Sequence, residues 1–484
     1  MLTPNGDKDA AKSYYTALAG GRDIEPEIID AISEGVANMA DILADEFGFN
    51  KDEYMDWTGV NVGGTNMGAM SPEYPEMPGH EKMALWTTHA GASDGYLYQG
   101  LKQNVTDRVD AIDVWYSSPA KSLIQDPVTK TVVGVTVERD GKEMNIRALN
   151  GVCICTGGFE CNKEMVQHYL NVINYAPRGG QFNTGDGIKM AQAVGADLWH
   201  MDCYEGLFGL GSVTYPVEEG IPCDMIATLA QNAVNTGAAI LVGTDGDRFV
   251  NESETVRHGH LYENGIWENP TFPEKVWYII DETQKGEIEA AGAMPEEQLA
   301  KLTAYDSIGA LAEGIGVDKD RLTKTIKNYN SFANNGEDYK CGREAQYMRA
   351  FDGKKYYAMY MVSGLLNTQG GPKRSANAEV LDTQGQPHPR DPVLPPVSAA
   401  ASPCACIRAA PTLPSASPSA ALPARTPQRS RTHCPPTLWR LWSLRPHSPV
   451  TSTIWSARKK PTRLLTTSTS ARHRHGDRMR SWSV

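Results

Sequence analysis

The sequence predicts an α/β fold with a Rossmann-like sheet and a second region in which helices dominate. At residues 149–170 a short apolar run leads into a glycine turn and then into helical spacing. A similar grouping of glycine turn, helix and strand returns at residues 183–204. A strand, glycine turn and helix in succession place ligands at the carboxyl end of an open α/β sheet. From about residue 205 to 355 the periodicity is mixed and mostly helical.

The apolar run at 152–155 has the pattern of a strand that is buried on both faces. It ends in Thr156-Gly157-Gly158, where the missing Cβ atoms let the backbone turn sharply and admit a ligand closely. Asn162 is placed to cap the following helix. A glycine turn after a strand is common, so this segment by itself is better explained as a purely structural turn.

The other elements follow from periodicity and turn residues. Apolar residues step by three or four from Ile28 to Leu43 after Pro26, which predicts one of two helices within residues 7–48. Further along the chain we predict a helix at 93–106, a strand at 111–116, a meander at 121–125, 132–138 and 144–148, a strand at 276–281, helical structure over 302–329, and strands with a polar turn over 356–390.

Length and cysteine usage bound the class of protein. The 484 residues are enough for two or three domains and a large core. No segment has about 18 consecutive apolar residues and the N-terminus lacks a signal pattern, so no membrane span is expected. The nine cysteines include no C-x-x-C pair, which favours reduced thiols. We therefore predict a cytoplasmic protein.

The formal net charge of −12 hides a change of composition near residue 390. Residues 391–484 carry 14 Lys and Arg against two Asp, whereas residues 1–390 carry 32 basic and 56 acidic groups. Of the 45 glycines, 44 precede residue 391, while 14 of the 30 prolines follow residue 390. This tail has the composition of a disordered segment. A basic arm for nucleic acid is the weaker alternative, so no nucleic-acid partner is expected.

Four motifs occur in one order and at one spacing. They read CTGGFECNKEMVQHYL at 155–170, NTGDGIKMAQAVGADLWHMD at 183–202, GDRFVNE at 246–252 and LLNTQGGPKRSANAEVLD at 365–382. With these motifs the chain resembles the flavoprotein subunits of fumarate reductase and succinate dehydrogenase, a family that includes urocanate reductases and 3-ketosteroid dehydrogenases. The resemblance covers about residues 7–390.

The resemblance implies an incomplete Rossmann-like FAD-binding domain with an inserted, mostly helical cap domain. The implied parts are a partial FAD-binding domain at 1–204, a cap and substrate domain at 205–355, a return to the FAD-binding domain at 356–390, and a Pro-, Ser- and Arg-rich tail at 391–484.

The sequence also departs from the family at both ends. The family begins with a strand, G-x-G-x-x-G and a helix that faces the pyrophosphate, and no such segment is found. The Gly-rich stretch expected after the fourth motif is replaced by the tail. With permitted codons, residues 406–426 can be reread in another frame as YTGGPNIAECIAFGRIAGQDA, which looks like that stretch. We expect an N-terminally truncated chain whose reading frame slips near residue 390.

FAD is the cofactor that the resemblance implies. The backbone of a residue at a strand start would meet adenine, the first glycine turn would lie by the adenosine half, and the last glycine pair would lie near the isoalloxazine. The implied cofactor-binding residues are Ala120, Thr156, Gly157, Gly158, Phe159, Gly370 and Gly371.

The resembled enzymes exchange a hydride between FAD and a carbon next to a carbonyl or carboxylate, and an arginine after R-F-V-N-E donates the proton. Arg257 lies within one residue of that position and is the implied acid, although a surface arginine paired with Glu252 or Glu254 is the alternative. The two histidines of the fumarate-type site are missing. Tyr204 and Asn367 stand in those segments, which implies an enone, acrylate or related substrate rather than fumarate.

A small-molecule substrate and a separate electron-donor protein are the partners that the resemblance allows. His258 and His260 stand one residue apart, but such pairs are usually solvated, and no metal is expected. The competing interpretation is a non-catalytic, truncated and frame-shifted relative with little or no bound FAD. Flavin colour in the purified protein distinguishes these two functions.

Overall fold

A computed structural model describes residues 6–388 except 58–60, 63–64, 67–73, 91–94, 208, 225, 227–230, 255–258, 264–265 and 269–271. The predicted acid Arg257, the neighbouring His258 and the tail at 391–484 lie outside the described residues.

Helices and strands alternate irregularly along the chain. The helices are α1 (Lys8–Leu18), α2 (Pro26–Phe47), α3 (Tyr96–Thr106), α4 (Lys163–Met165, continued by a π-turn at Val166–Leu170), α5 (Asp186–Ala193), α6 (Glu282–Ala291), α7 (Glu296–Leu299), α8 (Ile308–Ile315) and α9 (Lys319–Asn335).

The strands are mostly short. They are β1 (Met55–Asp56), β2 (Asn61–Val62), β3 (Thr65–Asn66), β4 (Trp86–Thr87), β5 (Ala120–Gln125), β6 (Val132–Arg139), β7 (Lys142–Arg147), β8 (Tyr175–Pro177), β9 (Leu198–Trp199), β10 (Tyr204–Gly206), β11 (Val213–Thr214), β12 (Ala239–Gly243), β13 (Leu261–Glu263), β14 (Ile266–Glu268), β15 (Val276–Asp281), β16 (Thr303–Tyr305), β17 (Tyr356–Thr368) and β18 (Gly371–Pro372).

The two predicted N-terminal helices are present as α1 and α2. Asp7 caps α1 by accepting the Ala10 N–H, Pro26 opens α2, and Gly48 ends α2 in the left-handed region with a φ of 76°. Their facing apolar side chains form one buried cluster. The predicted helix at 93–106 is present as α3. The largest of these helices, α2, is amphipathic, and none of the described helices is long and apolar enough to cross a membrane.

The 13-residue strand β17 organises the central sheet. Its first half pairs with β15 and β16, and its second half pairs with β10, β11 and β8. Among the ladders between described strands, only the one between β8 and β17 is parallel. The α/β class is therefore confirmed, while the central sheet is mainly antiparallel instead of a doubly wound parallel sheet.

Within the region at 205–355, β12 and β15 form a sheet that the first half of β17, just beyond this region, extends. One face packs against α8 and α9, and the other packs against α6. The predicted strand at 276–281 is present with the same bounds. The helical prediction over 302–329 is wrong at β16, because Thr303–Tyr305 pairs with β17 before α8 begins.

Two other strand predictions are wrong. No ladder is assigned in the described structure at 152–155, where Cys153 and Cys155 are exposed and only Ile154 is buried, against α5. The apolar run at 152–155 is therefore not a strand buried on both faces, as its pattern predicted. The segment at 111–116 is also irregular, because Trp115 packs on the meander of β5, β6 and β7 as a loop residue. The meander itself is present as predicted.

Candidate cofactor and substrate site

Thr368 joins the first and fourth motifs. The Phe159 N–H donates a hydrogen bond to the Thr368 hydroxyl at 2.8 Å, across 209 residues of sequence. This approach requires glycine at 158, because a Cβ there would lie 2.1 Å from Thr368 Oγ1. The structure therefore brings the Thr156–Phe159 turn and the Asn367–Gly371 segment together.

Glu160 is a buried acid at this junction that the sequence analysis did not single out. Its carboxyl group accepts hydrogen bonds from Asn183 Nδ2 at 2.6 Å and from Thr368 Oγ1 at 3.4 Å. Burial raises the pKa of Glu160 to about 6, although these hydrogen bonds oppose the shift. Its position directly after T-G-G-F could have marked it as a site residue. A charged residue in a turn is usually solvated, however, so its burial could not be expected from the sequence.

Tyr204 and Asn367 lie on adjacent strands, with Tyr204 opposite Thr368 and Asn367 opposite Glu205. Asn367 Nδ2 donates to the Glu205 carboxyl group, which is 1% exposed, and Asn367 Oδ1 accepts from Gln369 Nε2 at 3.0 Å. Burial raises the pKa of Tyr204, so its hydroxyl stays protonated. Glu205 is therefore a partner of Asn367 that the sequence analysis missed. Tyr204, the neighbouring residue on β10, faces the other side of the strand pair and packs in a buried, mostly apolar cluster, so the structure does not bring the two predicted substrate side chains together on one face.

The glycine pair at 370–371 allows a close contact with the segment after β9. Gly371 pairs with Trp199, and a Cβ on Gly370 would lie 2.5 Å from Met201 Cα. His200 has a φ of 55°, and its Nδ1 is buried without a hydrogen-bond partner in the described structure. Burial lowers the pKa of His200 to about 4, so its imidazole is neutral near pH 7.

The adenosine end of the predicted site contains a polar atom that can hold FAD. Thr156 Oγ1 is buried, and no hydrogen-bond partner for it is found among the described residues. Ala120 begins β5, which packs on α5. A Cβ on Gly157 would lie 2.3 Å from Asn183 Oδ1, so this glycine serves packing within the protein. The Phe159 ring is fully buried in a core cluster. Thr156 is therefore the side chain that best fits a cofactor contact.

The loop that carries Arg257 starts from a buried ionic network, here called the core network: Arg248, Glu252, Asp338 and Arg343. Arg248 donates to both Glu252 oxygens, at 2.9 and 2.6 Å, and to Asp338 at 2.9 Å. Arg343 donates to Glu252 at 3.2 Å. Despite burial, the guanidinium groups hold the pKa of Glu252 below its usual range. Glu252 is thus not a surface partner for Arg257.

The other end of this loop contacts β10. His260 Nε2 lies 3.6 Å from Cys203 Sγ, just before β10 begins. Burial raises the pKa of the Cys203 thiol to about 12, so it is protonated near neutral pH. The contact therefore joins a neutral thiol to an imidazole. Because the thiolate is the nucleophilic form of cysteine, this contact serves packing and hydrogen bonding.

Comparison with known proteins identifies the family. A family model described as an FAD binding domain matches residues 1–389. The chain belongs to this FAD-binding family. The resemblance stated above is thereby confirmed, and FAD is the cofactor of the family. The match ends beside the change of composition near residue 390.

The relatives are flavoproteins of related chemistry. The chain is 27% identical to NADH:fumarate oxidoreductase of Klebsiella pneumoniae (strain 342), covering 63% of this chain and 31% of the relative. It is 30% identical to 3-oxosteroid 1-dehydrogenase of Mycobacterium tuberculosis (strain ATCC 25618 / H37Rv), covering 50% and 46%. The chain thus spans less than half of these relatives.

A solved structure supports the fold. The crystal structure of 3-ketosteroid delta1-dehydrogenase from Sterolibacterium denitrificans matches with a TM-score of 0.54 and 19% identity. The match covers 79% of this chain and 81% of that one. At this identity the likeness shows the fold alone.

Proposed function

We propose that this chain is an FAD-dependent oxidoreductase that transfers a hydride to an activated C=C bond of a small molecule. The observation that carries the proposal is the Thr368 junction, because it joins the glycine turn of Thr156–Phe159 to the strand that bears Asn367. Bound FAD supplies the hydride chemistry. The chain's own residues would bind the cofactor, orient the substrate and supply a proton.

The proposed substrate is an enone, acrylate or related compound. Tyr204 and Asn367 replace the histidines of the resembled fumarate-type site, and the acidic side chain of Glu205 lies beside Asn367. A dicarboxylate would have to place one of its carboxylates beside this acidic side chain, which disfavours fumarate. A carbonyl or single carboxylate can instead accept hydrogen bonds from the neutral tyrosine hydroxyl.

Arg257 is the proposed proton donor. A free arginine is too weak an acid, so it needs neighbours that return its proton. Its loop follows Glu252, which the core network holds rigidly at the base of the loop.

FAD would contact the chain at both ends of the site. We assign the adenosine half to the Thr156 hydroxyl and to backbone groups of the residues implied by the resemblance. The proposed cofactor-binding residues are Ala120, Thr156, Gly157, Gly158, Phe159, Gly370 and Gly371. A separate electron-donor protein in the cytoplasm would reduce the flavin, because the donor modules of the resembled enzymes are normally separate domains or partners.

The test is anaerobic reoxidation of the flavin in the purified full-length chain. FAD is quantified from its absorption after release, then reduced with dithionite and mixed with 2-cyclohexenone, cinnamate or fumarate. We expect flavin in the purified protein and faster reoxidation by the enone or cinnamate than by fumarate. A colourless protein that cannot be loaded with FAD would contradict the proposal and favour the non-catalytic interpretation.

A separate test concerns the tail. Sequencing the gene across the codons near residue 390 would reveal whether a Gly-rich stretch lies in another frame. Finding no such stretch would remove the frame-slip hypothesis without affecting the proposed chemistry of residues 6–388.

A further inference from the structure

The carboxyl group of Glu160 lies where three of the four motifs meet. Glu160 belongs to the first motif, Asn183 to the second and Thr368 to the fourth. Asn183 Nδ2 donates to Glu160 Oε1 at 2.6 Å, and Thr368 Oγ1 donates to Glu160 Oε2 at 3.4 Å. Glu160 is 0% exposed. One fully buried acid therefore contacts all three segments.

Two glycines provide the space that this carboxyl group fills. A Cβ on Gly158 would lie 2.8 Å from Glu160 Oε2, and a Cβ on Gly179 would lie 2.9 Å from Glu160 Oε1. Gly179 follows β8, the strand that pairs in parallel with β17. A larger residue at either position would collide with the acid. The turn, the segment after β8 and the end of β17 thus enclose the carboxyl group together.

No cation within the described part of the chain compensates the charge that Glu160 carries when it ionises. Glu160 forms no ion pair among the described residues, and Arg178, the base that follows β8, donates instead to a backbone carbonyl at 2.7 Å. Glu205 of β10 accepts from Asn367. The ionisable side chains of α4 and α5 are exposed; they are Lys163, Glu164, His168, Asp186 and Lys189. An ionised Glu160 is therefore a buried charge that hydrogen bonds alone stabilise.

The buried ionisable groups around Glu160 are neutral near pH 7. Cys161 and Tyr175 face its carboxyl group, and Tyr204 lies opposite Thr368. Burial raises the pKa of Cys161 to about 11 and the pKa of Tyr175 to about 12, and it raises the pKa of Tyr204 as well. Hydrogen bonds favour the ionised form of Glu160, but burial outweighs them and raises its pKa to about 6. Of these buried groups, Glu160 alone changes charge in weakly acidic solution.

The contacts that join the first two motifs differ from those that attach them to β17. Within the pair, backbone groups that do not titrate hold the segments together, as where the Cys161 N–H donates to Asn183 O at 2.9 Å. At β17 the attachment includes Thr368, which accepts from the Phe159 N–H at 2.8 Å and lies against the carboxyl group of Glu160. Ionisation of Glu160 should therefore act at the Thr368 junction.

We propose that Glu160 is a positioning residue whose proton keeps the Thr156–Phe159 turn against β17, and that loss of this proton opens the Thr368 junction and weakens the binding of FAD. This inference rests on the proposed function, which places that turn beside the adenosine half of FAD. A closed junction buries the carboxyl group, whereas an open junction lets water solvate it, so closing takes up a proton. FAD binding is therefore tightest in acid and weakens as the pH rises from about 4.5 through about 6.

The first experiment is FAD titration of the purified full-length chain at about pH 5 and about pH 7.5. The Kd of the wild type should rise several-fold, up to about 8-fold for pKa values of 4.5 in the open and about 6 in the closed junction. Glu160→Gln keeps the shape and cannot ionise, so it should bind FAD at least as tightly as the wild type does at about pH 5, with no pH dependence. Glu164→Gln changes an exposed acid of α4 and is the matched control, which should keep the pH dependence of the wild type.

The second experiment measures the junction without FAD. Hydrogen–deuterium exchange of wild type and Glu160→Gln is compared at the same pH, so that the intrinsic exchange rates cancel. At about pH 7.5 the wild type should exchange faster than Glu160→Gln in peptides that cover residues 155–170 and 365–372, while the meander of β5, β6 and β7 exchanges equally in both. At about pH 5 this difference should shrink.

The outcomes separate this inference from the proposed function. If the wild type binds FAD with one Kd at both pH values, or if Glu160→Gln keeps the pH dependence of the wild type, the Glu160 assignment is wrong and the proposed function stands. If the chain binds no FAD at either pH, the proposed function fails and this inference fails with it. Should Glu160→Gln not fold, the pH dependence of the wild-type Kd and of its difference from Glu164→Gln still decides, because a flat wild-type profile overturns the assignment.

Discussion

The core network and the candidate site bury polar groups to a similar depth but partner them differently. In the core network the carboxyl group of Glu252 is held by two guanidinium groups and by the Leu241 N–H. At the site, by contrast, buried hydroxyl and imidazole atoms of Thr156 and His200 have no hydrogen-bond partner among the described residues.

This difference distinguishes residues that stabilise the fold from residues that are available to bind a ligand. A buried polar group that its own chain satisfies can fix a structure, whereas one left open lowers stability until something else satisfies it. The comparison has one exception, since Arg343 Nε in the core network is also without a described partner. Of these open groups, the Thr156 hydroxyl belongs to a residue that the family resemblance assigns to the cofactor.

Breaking the core network should have the largest effect. Glu252→Ala leaves Arg343 buried without its carboxylate and leaves Arg248 with Asp338 alone, and removing one partner of a buried pair costs about 3–5 kcal/mol. Urea denaturation followed by circular dichroism measures this loss. Lys12→Ala, which removes an exposed pair with Asp30, is the control and should leave the midpoint nearly unchanged. Equal midpoints for both variants would contradict the scaffold role.

Disrupting the Thr368 junction should have the next largest effect on stability. Gly158→Ala places a Cβ 2.1 Å from Thr368 Oγ1, and such overpacking costs about 1–3 kcal/mol. We also expect the FAD content to fall, because the glycine turn would move away from β17. Gly286→Ala is the matched control: its Cβ would meet nothing within 4 Å in α6, and it should stabilise by about 0.5–1 kcal/mol.

The buried acid of the junction predicts a pH dependence. Burial raises the pKa of Glu160 to about 6 in the folded protein from its ordinary value of 4.5, so the folded state holds the proton more tightly. Stability should therefore fall by about 2 kcal/mol as pH rises from about 4.5 through 6, and stay level above that range. The difference in Tm between wild type and Glu160→Gln, measured from pH 4 to about pH 8, isolates this group. A difference that does not vary with pH would contradict the assignment.

The sequence predicted the parts of the fold that local pattern determines. Pro26 begins α2, and the strand at 276–281 is a short run rich in β-branched and aromatic residues, which favours a strand. It did not predict that 152–155 forms no ladder, because strand pairing depends on residues distant in sequence. The Thr368 junction was not predicted either, since the contact spans 209 residues.

The candidate site was predicted less completely for a physical reason. Glu160 and Glu205 are polar residues of a type that usually faces solvent, and only the packing of distant segments buries them. No local pattern distinguishes a buried acid after a glycine turn from an acid in a surface loop. The residues that sequence analysis missed are therefore those whose role depends on burial.

The smallest expected effect tests the comparison at single hydroxyl groups. Thr156→Val removes a hydroxyl without a described partner and keeps the shape, so the stability without FAD should stay unchanged or rise by up to about 1 kcal/mol. Thr325→Val removes a buried hydroxyl that donates to Gly246 O at 2.7 Å, and should cost about 1 kcal/mol. FAD titration adds the decisive measurement, because Thr156→Val should weaken binding several-fold while Thr325→Val should not. If both variants lose the same stability and bind FAD equally, the open hydroxyl groups at the site carry no functional meaning.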